Sequence, residues 1–437
     1  MFYLTTILPS NMLQRLFVVL LFFYATNTFA QQPQTKDRDS IEQVRDSIKK
    51  AEFLKNIGNG FLPINFFDLD LRYLIKFNQY EGFRTGLGGI TNDRLSEHFR
   101  INGYAVYGFK DKRYKYSIGS GFRVNKPSNT WINLSYTDDL SETGSSNFLT
   151  DKRFFTFFEP RLLNIDLFHR HITKSIGVQH KISNHLLSET QFSTSKINPT
   201  YNYNFVLDDR SYNTFDLSTA KFSLQWSPFS RFELKDDQII VTREGYPKFT
   251  LQFTQGFRSV FGSDFNFSKL DFRTIQQFEH SNKAITNITL VAGIAGGETP
   301  LTHLYHAYPN NITKETILQR FSVAGLNSFE TMYFNEFFSD KFSTLQVKHF
   351  FRPFKFSERF KPQLVLISRY ALGDMKSINR HQGITFNRLN HLYSESGFEI
   401  NKLLLGFGLS FAYRYGAYHL PNFEDNIAFK FTFNISL

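Results

Sequence analysis

The run IAFKFTFNISL, residues 427–437, decides how this chain is read. Ile427, Phe429, Phe431, Phe433, Ile435 and Leu437 are apolar, and Ala428, Lys430, Thr432, Asn434 and Ser436 between them are small or polar. Successive side chains of a β-strand point to opposite faces, so a period of two gives one oily face and one wettable face. The preceding segment reads as one further strand, with Leu403, Leu405, Phe407, Leu409, Phe411, Tyr413 and Tyr415 on one side and Gly406, Gly408, Ser410, Ala412 and Arg414 on the other. Each run is long enough to cross a bilayer, for which a tilted strand needs about 9 to 11 residues.

Working outward, Tyr114, Tyr116, Ile118, Phe122 and Val124 alternate with Lys115, Ser117, Gly119, Gly121 and Arg123, and a polar turn at 110–113 joins this strand to 99–109. Similar alternation marks 83–90, 132–136, 249–254, 284–294 and 345–351. The chain holds roughly 14 to 18 such segments, with about sixteen the best single value, inside the range of even-numbered bacterial barrels. In a soluble sandwich the apolar faces would meet each other. In a membrane barrel they face lipid, and the inner faces carry Gly, Ser, Thr and charge around water, as these do. Lipid cannot hydrogen-bond an open sheet edge, so strands in a bilayer must close on themselves, and a last strand ending at Leu437 suits that closure. The predicted fold is all-β: a transmembrane antiparallel β-barrel of about sixteen strands, preceded by a short helix.

Composition agrees. The 437 residues include 53 Phe and 21 Tyr, yet 20% are charged and the mean hydropathy is -0.31, so aromatics must alternate with polar residues. No cysteine is present, which excludes disulfides, thiolate metal sites and a lipoprotein acyl anchor. The net charge of +11 is scattered rather than gathered into a basic run, so nucleic acid is not an expected partner. A solvated interior and loops account for it, and contact with anionic lipid headgroups or lipopolysaccharide phosphates is the sharper alternative.

Residues 1–30 have the form of a secretory signal: Arg15, an apolar core from Leu16 to Tyr24, and an exit through Thr28 and Phe29, with cleavage expected after Ala30. No later stretch approaches the roughly 20 apolar residues of a spanning helix. Residues 31–60 are polar, and Ile41, Val44, Ile48, Ala51 and Leu54 recur at helical spacing between Ser40 and the Gly58-Asn59-Gly60 break. One short amphipathic helix is expected there, as a tether or docked on the barrel. The barrel itself is assigned to 61–437. Residues 139–165 and 296–328 interrupt the alternation and read as long loops, either extracellular or folded inward as plugs.

The strings EGFRTGLGGITND (81–93), GYAVYGFKDKRYKYSIG (103–119), LSYTDDLSETGSSNFLT (134–150), YPKFTLQFTQGFRSVFGSDFNFSKLDF (246–272), NEFFSDKFSTLQVKHFF (335–351) and YRYGAYHLPNFEDNIAFKF (413–431) resemble an uncharacterised outer-membrane barrel family. Its longer members carry a carboxypeptidase-like regulatory domain before the barrel, for which about 30 residues ahead of the first strands leave no room. That resemblance implies a transmembrane barrel and no known activity. More distantly, 318–349 is similar to the late strands of the surface-antigen superfamily, which assembles or exports proteins across the outer membrane. The superfamily's Arg-Gly-aromatic loop motif and periplasmic repeats have no counterpart in this sequence.

No catalytic apparatus is legible. His169 and His171 would share a strand face, and His303 and His306 a helix face, but neither pair gains a carboxylate: Asp166 falls on the opposite side, and Pro300 separates Glu298 from His303. Asp138-Asp139 reads as the start of a turn. No nucleophile elbow is present, and Gly86-Leu87-Gly88-Gly89 opens no helix and carries no Lys, so it reads as strand glycines where the wall bends or the interior narrows. Tyr104, Tyr107, Tyr114, Tyr116, Tyr413 and Tyr415 are candidates for interfacial girdles.

The expected function is therefore a non-enzymatic pore, receptor or scaffold with Arg84, Lys115, Arg123, Arg414 and Lys430 facing the lumen, and with no cofactor and no metal. Assembly or translocation through the seam between the first and last strands is the alternative, and a membrane hydrolase a more remote one. Outer-membrane lipids and lipopolysaccharide are the expected partners, with an outer-membrane or periplasmic protein as a further one.

Overall fold

The computed structural model describes residues 60–151, 160–235, 238–314, 322–357, 360–404 and 406–433. The signal segment, the cleavage site after Ala30 and the amphipathic helix lie outside them. Among the described residues no helix is long and apolar enough to cross a membrane, and nineteen strand segments share one sheet. Two of them, Phe67–Asp70 and Ile75–Asn78, are halves of a single broken strand, β1, because both pair with the same neighbour on either side of the turn Leu71–Tyr73. The wall continues with β2 (Gly82–Thr91), β3 (Phe99–Gly108), β4 (Arg113–Asn125), β5 (Thr130–Glu142), β6 (Phe168–Ser183), β7 (Leu186–Pro199) and β8 (Phe215–Trp226). Its second half is β9 (Lys248–Gly256), β10 (Phe267–Glu279), β11 (Ile285–Gly297), β12 (Lys341–Phe350), β13 (Gln363–Asp374), β14 (Tyr393–Leu404), β15 (Phe407–Gly416) and β16 (Ile427–Phe433). Each strand pairs antiparallel with the next, from β1 to β16, so sixteen strands form one meander.

Two short segments sit at the seam. Phe61–Ile64 folds back along the first half of β1, and Ser322–Val323 pairs in parallel with Lys430 and Phe431 of β16. The turn Pro160–Leu163 packs against both Ser322–Val323 and the second half of β1, and Gln79 Nε2 donates to the Leu163 carbonyl at 2.6 Å.

The two faces separate as the alternation requires. Phe83, Leu87, Ile118, Phe122, Leu270, Ile294, Phe411 and Phe429 lie on the outer face, most of them exposed. Their neighbours in sequence point inward. The run 403–415 is not one strand: Leu404 ends β14, and Gly406, at φ +85°, supplies the left-handed turn into β15. A two-residue turn reverses the parity of an alternating pattern, since the paired Leu404 and Phe407 share a face, but leucine at 403, 404 and 405 alike fits either parity and hides the shift in the sequence.

Connections alternate between the two ends of the sheet. One end has 92–98, 126–129, 184–185, 227–247, 280–284, 351–362 and 405–406; the other has 79–81, 109–112, 143–167, 200–214, 257–266, 298–340, 375–392 and 417–426. The two segments read as long loops are therefore shifted: β5 runs through Glu142 and β11 through Gly297. They fold inward. Leu301, Leu304, Tyr305, Phe329, Met332 and Phe338 of 298–340 form an apolar core with Phe205, Phe265, Met375 and Leu389 from neighbouring loops and Phe215, Phe267, Phe342 and Tyr393 from the wall. At about 25 cal/mol per Å² of apolar surface, such a core ties these loops to one another and to the wall.

Candidate functional site in the barrel interior

Inward-facing residues of one strand are fixed by register to those of the next, so the interior is built in rows. Glu395 of β14 lies between Arg369 of β13 and Arg414 of β15. Arg369 Nη1 donates to Glu395 at 2.6 Å. The same carboxylate accepts the backbone N–H groups of Glu330 and Thr331 at 3.0 and 2.7 Å and the Thr331 hydroxyl at 2.6 Å. Two wall strands thereby grip the backbone of the long inward loop.

Glu330 completes the clamp. It accepts from Asn310 Nδ2 at 2.8 Å, from Ser328 Oγ at 2.8 Å and from the Gly325 N–H at 3.1 Å. Lys430 of β16 stands 3.4 Å from it and Arg369 4.0 Å, and Lys430 also donates to the Asn310 carbonyl. Glu330, Glu395, Arg369 and Lys430 are 0–2% exposed. Burying four charges is tolerable because each meets an opposite charge or a hydrogen-bond donor or acceptor. Farther along the loop, Glu336 takes a two-pronged bond from Arg414, whose guanidinium also lies 4.7 Å over the Tyr393 ring.

A second tie crosses the barrel. His306 of the loop shares a 2.6 Å hydrogen bond with Glu142 at the end of β5, and Arg161 pairs with the same carboxylate. Burial holds the His306 imidazole below its ordinary value despite the pull of Glu142. His381, which bonds the Tyr203 hydroxyl within the apolar core, is pushed down to about 4 by burial and by Arg380. Both are neutral structural histidines at neutral pH.

The structure places all five sequence-predicted lumen residues on the inner face, and gives each a partner. Arg84 grips Asp139 with two bonds of 2.7 Å. Lys115 reaches Glu81 at 2.6 Å and Asp111 at 2.5 Å. Arg123 and Arg100 both lie over the Trp131 ring, at 4.6 and 4.1 Å from its centre. Arg414 and Lys430 belong to the loop clamp just described. These are tethering charges rather than a solvated lining.

Several other readings change. Asp138 and Asp139 start no turn: both lie within β5, on opposite faces, Asp138 pairing with Arg170 outside and Asp139 with Arg84 inside. Tyr104 is no girdle residue, because it points inward and donates to Asp139. His303 and His306 do not share a helix, since only the short turn Leu301–His303 is helical there. Gly88 has a definite role: a Cβ there would come within 2.4 Å of Tyr73, which the break in β1 tucks inward to stack on Tyr104 at 4.1 Å. Glu330, Glu336, Arg369 and Glu395 escaped sequence reasoning. Arg369 and Glu395 sit at inward parity in alternating runs, a signal that could have found them; the two loop glutamates carry none.

The model of the family described as "Family of unknown function (DUF5686) C-terminal domain" matches residues 66–354. No curated protein matches the chain. Among solved structures the fold is similar to BamA from Haemophilus ducreyi lacking POTRA domains 1–3, at 10% identity and a TM-score of 0.50, over 84% of this chain and 70% of that one. CdiB from Escherichia coli also matches, at 10% identity and a TM-score of 0.44, over 81% of this chain and 60% of that one. Identities this low bear on the fold alone.

Proposed function

This chain belongs to the DUF5686 family, whose function is unknown, and from that premise we propose that it is an integral outer-membrane barrel with a plugged interior, serving as a surface receptor or scaffold rather than as an open pore. The observation that carries this reading is the clamp on 298–340: a loop held by buried, oppositely charged groups from β13, β14 and β16 does not leave the lumen by thermal motion alone. The apolar core beneath the long loops supports it. In the proposed orientation the long loops face outward and the short turns face the periplasm, as is general for such barrels. Exposed aromatics at the short-turn end, Trp226, Phe229, Phe278, Phe354 and Phe356, suit a headgroup boundary. Planar bilayer recordings test the plug. The wild-type protein should give no steady conductance, and a stable open level of the kind a porin shows would sink the reading.

A second reading, translocation through the seam, is favoured by the way β16 is edged. Ser322–Val323 lies on it as a two-residue parallel insertion, which is a short pairing to displace. Val323→Cys with Phe431→Cys would lock that contact in a chain with no other cysteine. If the seam opens in function, the locked protein should lose its cellular role and regain it on reduction. A fully functional locked protein would discard this reading. We also propose that the barrel is not an enzyme; turnover of phospholipid or peptide by the pure protein would overturn that.

A further inference from the structure

The outer wall carries a feature that a plugged receptor does not need. Between β3 and β7 it forms an apolar groove of about 840 Å³, lined among others by Ile101, Ile118, Leu134, Ile176 and Phe192, with Lys174 in its lining. Loop 257–266 folds back outside the wall, where the Val260 carbonyl accepts from Ser218 Oγ of β8 at 2.7 Å. Its tip sets Phe261 edge-on to Phe192, with ring centres 5.9 Å apart. Phe261 is 79% exposed and has φ +49°, beside Ser259 at +65° and Gly262 at +81°. A bulky aromatic residue rarely takes a left-handed conformation, and a nearly bare ring gains nothing from water. The loop's internal bonds, Ser259 N–H to Ser263 O and Ser263 N–H to Val260 O, keep the ring presented over the groove.

Basic side chains gather at one end of this groove. On the outer face Lys174 pairs in register with Thr194, and Lys196 with Ile172, so the two lysines are diagonal neighbours, with Arg170 one outward position beyond Ile172. Arg170 is committed to Asp138. Among the described residues neither Lys174 nor Lys196 has a hydrogen-bond or ion-pair partner for its ammonium, although the exposed Asp216 stands opposite Lys196 in register. Toward the long-loop end the outer face thus turns from apolar to charged, with Lys174 and Lys196 beside the Arg170–Asp138 pair and Asp216.

We propose that this groove is a specific site for one phosphorylated, multiply acylated glycolipid of the outer leaflet, the lipid A part of lipopolysaccharide. Its acyl chains lie along Ile118, Leu134, Ile176 and Phe192 under Phe261, and a phosphate sits between Lys174 and Lys196. The cations select a phosphate headgroup, and the apolar lining of the groove selects a lipid over a free ion. The inference rests on the membrane orientation proposed above, which sets the long-loop end in the outer leaflet.

Purified full-length protein in mild detergent, titrated with bisphosphorylated lipid A and read by native mass spectrometry, tests it. Lys174→Gln with Lys196→Gln should weaken binding at least tenfold, removal of the phosphates from lipid A should weaken binding to the wild type equally, and Phe261→Ala should weaken both forms of the lipid. Equal binding by wild type and double variant, no loss on dephosphorylation, or equally tight binding of phosphatidylglycerol would overturn the assignment. Folding and membrane orientation are checked separately, by heat-modifiable migration and by the need for detergent in extraction. Variants that pass both while binding lipid A unchanged refute the site and leave the barrel reading intact.

Discussion

Glu330→Ala is expected to lower the stability of the folded barrel by about 3–5 kcal/mol, the usual cost of stranding buried charges. Removing this carboxylate leaves Lys430 and Arg369 facing each other across the buried interior, orphans the Ser328 hydroxyl and the Gly325 N–H, and leaves Asn310 Nδ2 only its bond to the Val323 carbonyl. Glu395 compensates only in part, because it is already saturated by Arg369, Thr331 and two backbone amides. Urea unfolding of the refolded protein in liposomes, followed by tryptophan emission, measures the loss. Protease cleavage within 298–340 should accelerate in parallel. A change below about 1 kcal/mol, the worth of an ordinary surface pair, would mean that the loop is held by its apolar contacts and not by charge.

Leu270→Arg is expected to cost about 2–4 kcal/mol if its side chain lies near the bilayer midplane, the depth-dependent penalty for a cation on the lipid face of a barrel. Leu270 is exposed on β10, opposite Phe253 of β9 and Ile294 of β11, in an apolar row that Phe222 of β8 continues. Gln277→Lys on the same strand faces inward and should stay within about 0.5 kcal/mol, as surface changes usually do. In a water-soluble sheet the order would reverse, since an exposed leucine exchanged for arginine costs almost nothing in water.

Period-two alternation made the wall legible from the sequence. At 427–433, 113–125 and 82–91 the oily positions are the outward ones, and the inward parity of Arg84, Lys115, Arg123, Arg414 and Lys430 follows from the same count. What these charges do was not legible, because their partners lie far away in the chain: Asp139 for Arg84, Glu336 for Arg414, Glu330 for Lys430. A strand pattern specifies a face, whereas a pairing across the interior depends on how the strands curve and where a loop enters. The break in β1 was hidden for a related reason, since Leu71-Arg72-Tyr73 has the composition of a strand and only the inward tuck of Tyr73 over Gly88 makes a turn worthwhile. Loop 298–340 has no periodicity of either kind, so its buried glutamates could not be told from solvated ones.

The protein contains no cysteine, so single cysteines along β9 and β10 can report their surroundings one position at a time. Spin labels at 251, 253, 270 and 272 in liposomes should relax readily with dissolved oxygen and hardly at all with a water-soluble nickel chelate, and labels at the inward positions 252, 254, 269 and 271 should not share that oxygen preference. If the chelate instead reached 251, 253, 270 and 272 freely, water and not lipid would cover the oily face, and the chain would not be a membrane barrel.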